Sequence, residues 1–419
     1  MPAAPHECSN DTSLPTCSEE SAGPLALIII PCLLAVSTVF VVALIFYSLH
    51  RNKQREPSTT AHFANGQQSA PLTAASVSTP KVQAALKPWE IPEECVLEGL
   101  EFWQTGRRGP ICKGLLRKRD GNSSAVVVKS LRDGPDQPEA KEFVEWALFH
   151  ATVCKHENVV RMLYSQTNRV PMYLVLDAYT PGNLLHHLWT LRNVTKNSNA
   201  ADPLLNFSER SVFLVAKQVA AGLDYLMSEH RLVHGDVAAR NILIGPGLSA
   251  RVSGLGVAFG GRRMDSAIRP RAVEVPLKWQ APERIMMQLS IDRSDVWSFG
   301  ILLYELITLG SPPYPELEPV AVLPKLQGSY RMKRPQNCGA PLYDLMKYCW
   351  MWSFKDRPAF SAIIKLLESS LPLAATEAIC APEVIDLFEY NRKAGLLSHA
   401  RVLPNMATST DGKQSAQKV

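Results

Sequence analysis

A stretch of 25 residues without a formal charge, Leu25 to Leu49, limits what this chain can fold into. As an α-helix it is long enough to cross the roughly 30 Å hydrocarbon layer of a bilayer with some tilt. A buried core helix rarely runs this far without a polar face. A cleaved signal peptide would have a shorter apolar run preceded by Lys or Arg, and residues 1–24 contain neither. The sequence therefore predicts a transmembrane helix at 25–49, with those two readings as the alternatives.

The charges beside this segment predict its orientation. Residues 1–24 carry only acidic charges, whereas "HRNKQR" at 50–55 is basic. Positive flanks favour the cytoplasmic side, so we expect a single-pass plasma-membrane protein with its N-terminus outside and residues 50–419 in the cytoplasm. A glycosylation triplet begins at Asn10, on the predicted outer side. The outer segment is too short to fold into a ligand-binding domain.

The remaining chain changes character along its length. Residues 50–94 form a linker rich in Ser, Thr, Ala and Pro, expected to be flexible. Short β-like runs follow in 95–178, among them "SSAVVVKSL" and "PMYLVLDAY", with the helical "EAKEFVEWALFHATVC" between them. Helical patterns dominate 179–372, and 373–419 is a tail. This pattern predicts an α+β fold in two lobes.

Composition excludes some classes of function. A net charge of +5 over 419 residues, with no basic block interleaved with aromatics, excludes nucleic acid as a partner. The nine cysteines are scattered and form no CxxC pair, so neither a zinc site nor a disulfide scaffold is expected. Cys8 or Cys17, in the outer segment, could crosslink two chains into a homodimer.

Four motifs occur in a fixed order: "QTGRRGPICKG" at 104–114, "VVVK" at 126–129, "HGDVAARN" at 234–241 and "VPLKWQAPE" at 275–283. Together they resemble the protein kinase catalytic domain, most closely its receptor tyrosine kinase branch. The resemblance covers residues 97–371, about two thirds of the chain. It implies a bilobal kinase fold, ATP as the phosphate donor and tyrosine in proteins as the acceptor.

The resemblance implies a glycine-rich loop over the nucleotide. Gly106 and Gly109 match the second and third glycines of that loop, Gln104 replaces the first, and Ile111 takes the place of the valine on the adenine. Two glycines still let backbone amides approach phosphate closely. An ordinary hairpin is the alternative for this segment.

Further nucleotide contacts follow from the same resemblance. Lys129 matches the strand lysine on the α and β phosphates, and its carboxylate partner would be Glu145, with Glu142 second. Leu176 matches the gatekeeper, and the backbone of Asp177 to Tyr179 would meet the adenine edge.

"HGDVAARN" matches the catalytic loop in its tyrosine kinase form. Asp236 takes the place of the carboxylate that accepts the substrate proton, Arg240 that of the arginine of tyrosine-specific members, and Asn241 that of a magnesium ligand. His234 is expected to be a structural anchor. The resemblance also implies a buried ion pair between Glu283 and Arg357 and places Asp295 on a core helix; those residues specify the fold.

The pattern breaks at the second magnesium ligand, where Gly254 replaces aspartate. Losing the Lewis-acid contribution of a metal plausibly costs several kcal/mol, so transfer should fall roughly a thousandfold or more. Asn241 could hold one ion weakly, and Asp265 is a poor substitute. The second residue of the catalytic loop, an arginine in regulated relatives, is Gly235 here.

The following loop, 256–283, contains no tyrosine and only one hydroxyl residue, Ser266, so we expect no switching by loop phosphorylation. It carries four arginines, which could bind acidic partners or form a solvated face: Arg262, Arg263, Arg269 and Arg271.

These features predict a kinase-fold signalling protein that docks cytosolic signalling kinases or adaptors at a membrane, with weak or absent transfer. The alternative is an active ATP-dependent protein-tyrosine kinase working with one metal ion on Asn241. We expect weak ATP binding that depends little on magnesium. Resemblance to a receptor-like member of the family also implies growth signalling through the MAP kinase and phosphatidylinositol 3-kinase pathways.

Overall fold

The computed structural model describes residues 79–193, 206–262, 274–287, 291, 293–380, 384–397 and 401–402. The predicted transmembrane segment at 25–49 and the triplet at Asn10 lie outside them. None of the helices in the described ranges combines the length and the apolar character needed to cross a membrane.

The small lobe contains an antiparallel sheet in the order β1-β2-β3-β5-β4. Its strands are β1 (Val96–Thr105), β2 (Pro110–Arg117), β3 (Ser123–Ser130), β4 (Met162–Gln166) and β5 (Tyr173–Asp177). Val126 and Val128 of β3 are buried with Val175 of β5 in a small core on one face of the sheet. The two strands predicted in 123–131 and 171–179 are thus confirmed as β3 and β5.

Helix α2 (Gln137–Val153) lies between β3 and β4 and carries the residues predicted to face the nucleotide. Asp136 begins the helix with a capping box: its side chain accepts from the amide of Glu139 at 2.8 Å, and the Glu139 side chain accepts from the amide of Asp136 at 3.2 Å. Phe143 and Ala147 are buried in the main core. The helix predicted from the pattern of "EAKEFVEWALFHATVC" is confirmed.

Part of the predicted linker at 50–94 is helical. Helix α1 (Pro80–Leu86) contacts α2, and Leu86 is 1% exposed. Val82 and Trp89 also pack on the main core. Three apolar residues at helical spacing explain why this end of the linker folds onto the small lobe.

Helices form most of the large lobe, as predicted from Ser208 onward. They are α3 (Leu184–Asn193), α4 (Glu209–His230), α5 (Gly256–Arg262), α6 (Pro282–Met287), α7 (Ser294–Ile307), α8 (Pro319–Gln327), α9 (Ala340–Cys349), α10 (Phe360–Ser370) and α11 (Leu387–Lys393). Short strands join them: β6 (Gly182–Asn183), β7 (Ile242–Gly245), β8 (Ser249–Val252), β9 (Val275–Pro276) and β10 (Arg401–Val402). The two-lobed α+β architecture is confirmed.

Two serines cap helix α4. The sequence places Ser208 at the N-cap, but with Ser211 where glutamate usually completes a capping box, so an incomplete box is expected. That expectation is wrong: the Ser211 hydroxyl accepts from the amide of Ser208 at 3.2 Å, and the Ser208 hydroxyl accepts from the amide of Ser211 at 3.4 Å. A hydroxyl oxygen serves here as the acceptor that a carboxylate usually provides.

The ion pair expected between Glu283 and Arg357 is present and buried. The guanidinium donates to both carboxylate oxygens, at 2.7 and 2.8 Å, and the two side chains are 5% and 0% exposed. Glu283 also accepts from the hydroxyl of Ser294 at the start of α7. The pair thus joins α6 and α7 to the segment before α10.

Removing one partner of this pair should destabilise the large lobe. We expect Arg357→Ala to lower the free energy of unfolding by about 3–5 kcal/mol, because Glu283 would remain buried and charged without its counterion. Urea unfolding followed by tryptophan fluorescence measures it. Arg119→Ala, at an exposed turn, is the matched control and should change stability by less than about 0.5 kcal/mol. Equal losses in both variants would contradict a structural role for the pair.

Candidate active site

Helix α7 anchors the catalytic loop through Asp295. One carboxylate oxygen accepts from the amide of His234 at 2.6 Å and the other from the amide of Gly235 at 2.8 Å. The His234 ring also bonds the carbonyl of Ser253 at 2.7 Å. Burial raises the pKa of Asp295, while His234, Arg284 and the two amides oppose that rise. His234 therefore lies where an anchor is expected, between the loop and the end of β8.

The three predicted catalytic residues lie together. Arg240 donates to one carboxylate oxygen of Asp236, and the side-chain nitrogen Nδ2 of Asn241 donates to the other at 2.8 Å. The same nitrogen donates to the Asp236 carbonyl at 2.8 Å. Arg240 also lies over the ring of Trp279, at 4.5 Å from its centroid. The Asp236 carboxylate is thus held by two neighbours on its own loop.

Gly254 leaves no carboxylate beside Asn241. Its φ is 77°, and a Cβ added there would lie 2.5 Å from the side-chain oxygen of Asn241. Within the described ranges, no group of three or more His, Cys, Asp and Glu side chains could hold a metal ion. The donors at this position reduce to one amide oxygen, whereas Mg²⁺ is usually bound through carboxylates and phosphate. The residues present therefore do not fit the usual magnesium site.

The glycine-rich loop packs closely against the end of β3. The amide of Gly106 donates to the carbonyl of Gly109 at 2.8 Å, and the amide of Arg132 donates to the carbonyl of Arg108 at 2.9 Å. Gly109 has φ 153°, and a Cβ there would lie 2.5 Å from the carbonyl oxygen of Ser130. Only glycine fits this approach, which brings the loop tip down beside the predicted phosphate position.

Arg108, which the motif comparison passed over, points into the cleft from this loop. Its guanidinium pairs with Glu142 of α2 at 3.0 Å. It lies 4.4 Å from the ring centroid of Trp146 and 5.1 Å from that of Phe259. Phe259 belongs to α5 and packs edge-to-face on Trp146, with centroids 4.9 Å apart. One arginine therefore connects the glycine-rich loop, α2 and α5.

Lys129 lies on β3, opposite Ile111 of β2. Burial lowers the pKa of Lys129, the positive charge of Arg108 lowers it further, and the Cys154 thiol opposes the change. The expected pairing of Lys129 with Glu145 stays a prediction. Glu142, the second candidate, is the carboxylate that pairs with Arg108 instead.

A cavity of about 240 Å³ lies between the glycine-rich loop, α2 and the start of α5. Its lining combines cations with apolar and small residues: Gly106, Arg107, Arg108, Gly109, Ile111, Lys129, Ser130, Phe143, Trp146, His150, Val160, Ser253, Gly254, Leu255 and Gly256. Burial lowers the pKa of His150 to about 3, so this ring is neutral. The cavity is smaller than the roughly 300–1,000 Å³ of typical ligand pockets.

The predicted hinge does not line that cavity. Leu176 is 3% exposed and pairs with Val127 in the sheet, as expected of a residue at the back of the cleft. Asp177 pairs with Arg251 at 2.7 Å, and the same guanidinium lies 4.3 Å from the ring centroid of Tyr179. Arg251 of β8 thereby fastens the hinge to the large lobe.

Arg284 fills the space beside Gly235 and was also missed from the sequence. Its Nη1 donates to the Gly235 carbonyl at 2.6 Å, and the side chain is fully buried. Burial lowers the pKa of Arg284, while Asp295 and Asp236 oppose that change. A cation from α6 thus stands next to the position where relatives carry one in the loop. The only sequence feature that could have indicated this contact is the position of Arg284 directly after the "APE" motif.

The segment after Gly254 forms helix α5 at once. Phe259 of this helix also packs on Phe149 of α2, with ring centroids 5.5 Å apart. Arg262 ends the helix and is exposed. The other loop residues singled out from the sequence lie outside the described ranges: Arg263, Asp265, Ser266, Arg269 and Arg271.

Comparisons with known proteins agree with this geometry. Residues 99–367 match the family model described as protein tyrosine and serine/threonine kinase. The chain is 33% identical over 415 residues to tyrosine-protein kinase STYK1 of Mus musculus, covering 93% of this chain and 94% of the relative. The human STYK1 is 37% identical over 314 residues, covering 74% and 73%. Tyrosine-protein kinase Abl of Drosophila melanogaster is 35% identical over 263 residues, covering 62% of this chain and 15% of the relative.

Restoring the aspartate should strain this site. We expect Gly254→Asp to lower the free energy of unfolding by about 1–3 kcal/mol, because the new Cβ would overlap Asn241 at a left-handed φ. Gly256→Asp is the matched control, since a Cβ at Gly256 meets nothing within 4 Å. Urea unfolding of both variants measures the difference. A Gly254→Asp variant as stable as the control would show that Asn241 moves aside without cost.

Proposed function

This chain belongs to the protein tyrosine and serine/threonine kinase family, and we propose that it is a signalling protein whose kinase fold docks other proteins, with phosphate transfer weak or absent. The proposal rests on one observation above all. The position beside Asn241 that should carry a metal-binding carboxylate is Gly254, in a backbone conformation where an added Cβ overlaps Asn241. Transfer relies on metal charge at the phosphates, and the described residues of this cleft include no cluster of acids that could hold that charge.

The arrangement of the nucleotide side supports the same proposal. In relatives, the strand lysine and a helix glutamate act as a pair. Here Glu142, the second candidate for that glutamate, pairs with Arg108, and the charge of Arg108 lowers the pKa of Lys129. Three cationic residues line this cavity, Arg107, Arg108 and Lys129, and among the described residues Gly254 supplies no acid beside them; this favours an anionic ligand without a divalent ion. ATP would then bind weakly through Lys129 and the hinge backbone at Asp177 to Tyr179.

The active tyrosine kinase remains the second candidate because the acceptor side is intact. Asp236 is within hydrogen-bonding distance of both Arg240 and Asn241, as the resemblance implies. A carboxylate in that position could accept the proton of a tyrosine hydroxyl. One ion on Asn241 and the substrate phosphates would then have to supply all the metal charge.

The proposed setting is the plasma membrane. The apolar segment 25–49 would anchor the chain as a single-pass protein, with the kinase fold in the cytoplasm and cytosolic signalling kinases or adaptors as partners. Through its resemblance to a receptor-like kinase, we also propose growth signalling through the MAP kinase and phosphatidylinositol 3-kinase pathways, and a homodimer crosslinked at Cys8 or Cys17.

Nucleotide binding should be nearly independent of magnesium. We expect ATP to raise the unfolding temperature of the full chain by the same amount, within about 1 °C, with magnesium or with a chelator, because no carboxylate binds the ion. Lys129→Met should abolish the shift. Lys113→Met, an exposed lysine on β2, is the matched control and should keep it. A shift that grows several-fold with magnesium would contradict the proposal.

Phosphate transfer decides between the two functions. We expect radiolabelled phosphate incorporation by the full chain, with itself or a tyrosine copolymer as acceptor, to be roughly a thousandfold below that of a kinase with both metal ligands. Asp236→Asn should leave that level unchanged. Asp356→Asn, at an exposed position of the large lobe, is the matched control. Transfer that disappears in Asp236→Asn and persists in Asp356→Asn would establish the active kinase.

A further inference from the structure

The C-terminal tail folds back over the large lobe. Helix α11 begins at a cap in which the Asp386 side chain accepts from the amide of Glu389 at 2.7 Å. Tyr390 of this helix is 3% exposed, whereas Leu387 and Phe388 are 59% and 71% exposed. The helix therefore attaches through one aromatic side chain and leaves its other apolar residues in solvent.

Tyr390 is buried beside the catalytic loop. Its ring packs edge-to-face on Trp189 of α3, with centroids 4.8 Å apart. Burial raises the pKa of Tyr390, the negative charge of Glu305 raises it further, and Arg240 opposes the rise. Glu305 accepts from the amide of Ala239 at 2.9 Å, and Arg240 donates to Asp236. The tail anchor thus contacts α3 through Trp189 and is close enough to Glu305 and Arg240 for their charges to act on its hydroxyl.

A second contact fastens the end of α11. The buried ammonium of Lys278 donates to the carbonyl of Lys393 and, at 2.8 Å, to the carbonyl of Tyr314. Gly395, with φ 73°, packs so closely that a Cβ would lie 2.5 Å from Pro319 of α8. Lys278 belongs to the "VPLKWQAPE" segment, so the tail contacts the loop end that borders Asp236.

The tail then adds a strand to that segment. Arg401 pairs with Pro276 and Val402 with Val275 in an antiparallel ladder. Within the described residues, β10 is the only strand paired with β9. An exposed strand edge of this kind binds extended peptides by main-chain hydrogen bonds. The tail therefore occupies an edge that a separate protein segment could use.

We propose that residues 384–397 and 401–402 form a reversible plug over the protein-docking face beside Asp236, anchored by Tyr390. When the plug leaves, the site takes an extended protein segment that presents an aromatic side chain to Trp189 and a strand to β9. The attachment consists of the Tyr390 ring, the Lys278 bond, the two-residue strand and the packing of 394–396, where Ala394 is buried and Leu396 partly buried against the main core. These contacts come from one short segment at the surface of the lobe, so we expect opening to be local, without unfolding of the lobe. The proposal rests on the proposed function only in naming another protein as the competitor.

Amide hydrogen exchange on the full chain in detergent tests the plug. We expect Tyr390→Ala to increase exchange at the amide of Val275 by about tenfold or more, because β10 leaves β9 and Pro276 has no amide hydrogen. Tyr390→Phe should match the wild type, since the Tyr390 hydroxyl has no hydrogen-bond partner in the described structure. The control is Phe388→Ala, which removes an exposed aromatic side chain two residues before Tyr390 on the same helix. Asp386→Ala removes the cap of α11 without touching the lobe and should also release the tail.

Protection of the core helix α7 verifies that each variant is folded. If the amides of α7 exchange rapidly in Tyr390→Ala, that variant is unfolded, and the test then uses Asp386→Ala alone. Unchanged exchange at the amide of Val275 in a folded release variant would overturn the proposal.

A labelled peptide with the sequence of residues 384–402 gives an independent readout. It should bind the release variants about tenfold or more tighter than the wild type, in which the attached tail competes at high effective concentration. The same peptide with Tyr390→Ala should bind neither. Equal binding to wild type and release variants, or no binding to a folded release variant, would overturn the proposal. Neither readout measures phosphate transfer, so the plug and the proposed function can fail separately.

Discussion

The acidic side chains of helix α7 set the geometry on which the active-site loop depends. Asp295, near the start of the helix, accepts two loop amides, and Glu305, near its end, accepts a third from Ala239. Both carboxyl groups are buried, and burial raises the pKa of Glu305 to about 7. Both oxygens of Asp295 accept a loop amide, as buried acids usually require, whereas Glu305 accepts through one oxygen and its other oxygen has no partner in the described structure. One helix therefore holds both ends of the loop that carries Asp236.

The charged residues around that loop differ from those of the usual kinase motifs. Gly235 and Gly254 each remove a side chain that would carry charge, and arginines from elsewhere approach both regions: Arg284 beside Gly235, and Arg108 in the cavity that Gly254 lines. The acids near Arg284 raise its pKa and so oppose the effect of burial. Arg108 pairs with Glu142 and lies over two aromatic rings. Arg108 and Lys129 therefore line the same cavity as Gly254, so this part of the cleft is positively charged without any bound ion.

Local spacing made part of this predictable. Arg240 and Asn241 meet Asp236 because they are four and five residues away on one loop, and the strands around Lys129 follow from runs of valine. The remaining contacts depend on long-range geometry. The path of Arg108 depends on Glu142, Trp146 and Phe259, which come from two distant helices. The seven-residue helix α11 has too little periodicity to predict, and a polar tail gives no sign that Tyr390 will reach Trp189. Gly254 shows a missing carboxylate, but not that α5 begins directly after it.

The intact appearance of Asp236 is weak evidence for turnover. Its carboxylate balances Arg240, which is partly buried over Trp279, and it also opposes the effect of burial on the pKa of Arg284. Removing one member of such a network leaves the others with uncompensated charge, which is costly inside a protein. Asp236 thus has a structural reason to be present that is independent of catalysis. The charge of Arg240 also acts on the buried Tyr390 hydroxyl, so the same group of charges affects the anchor of helix α11 as well as Asp236.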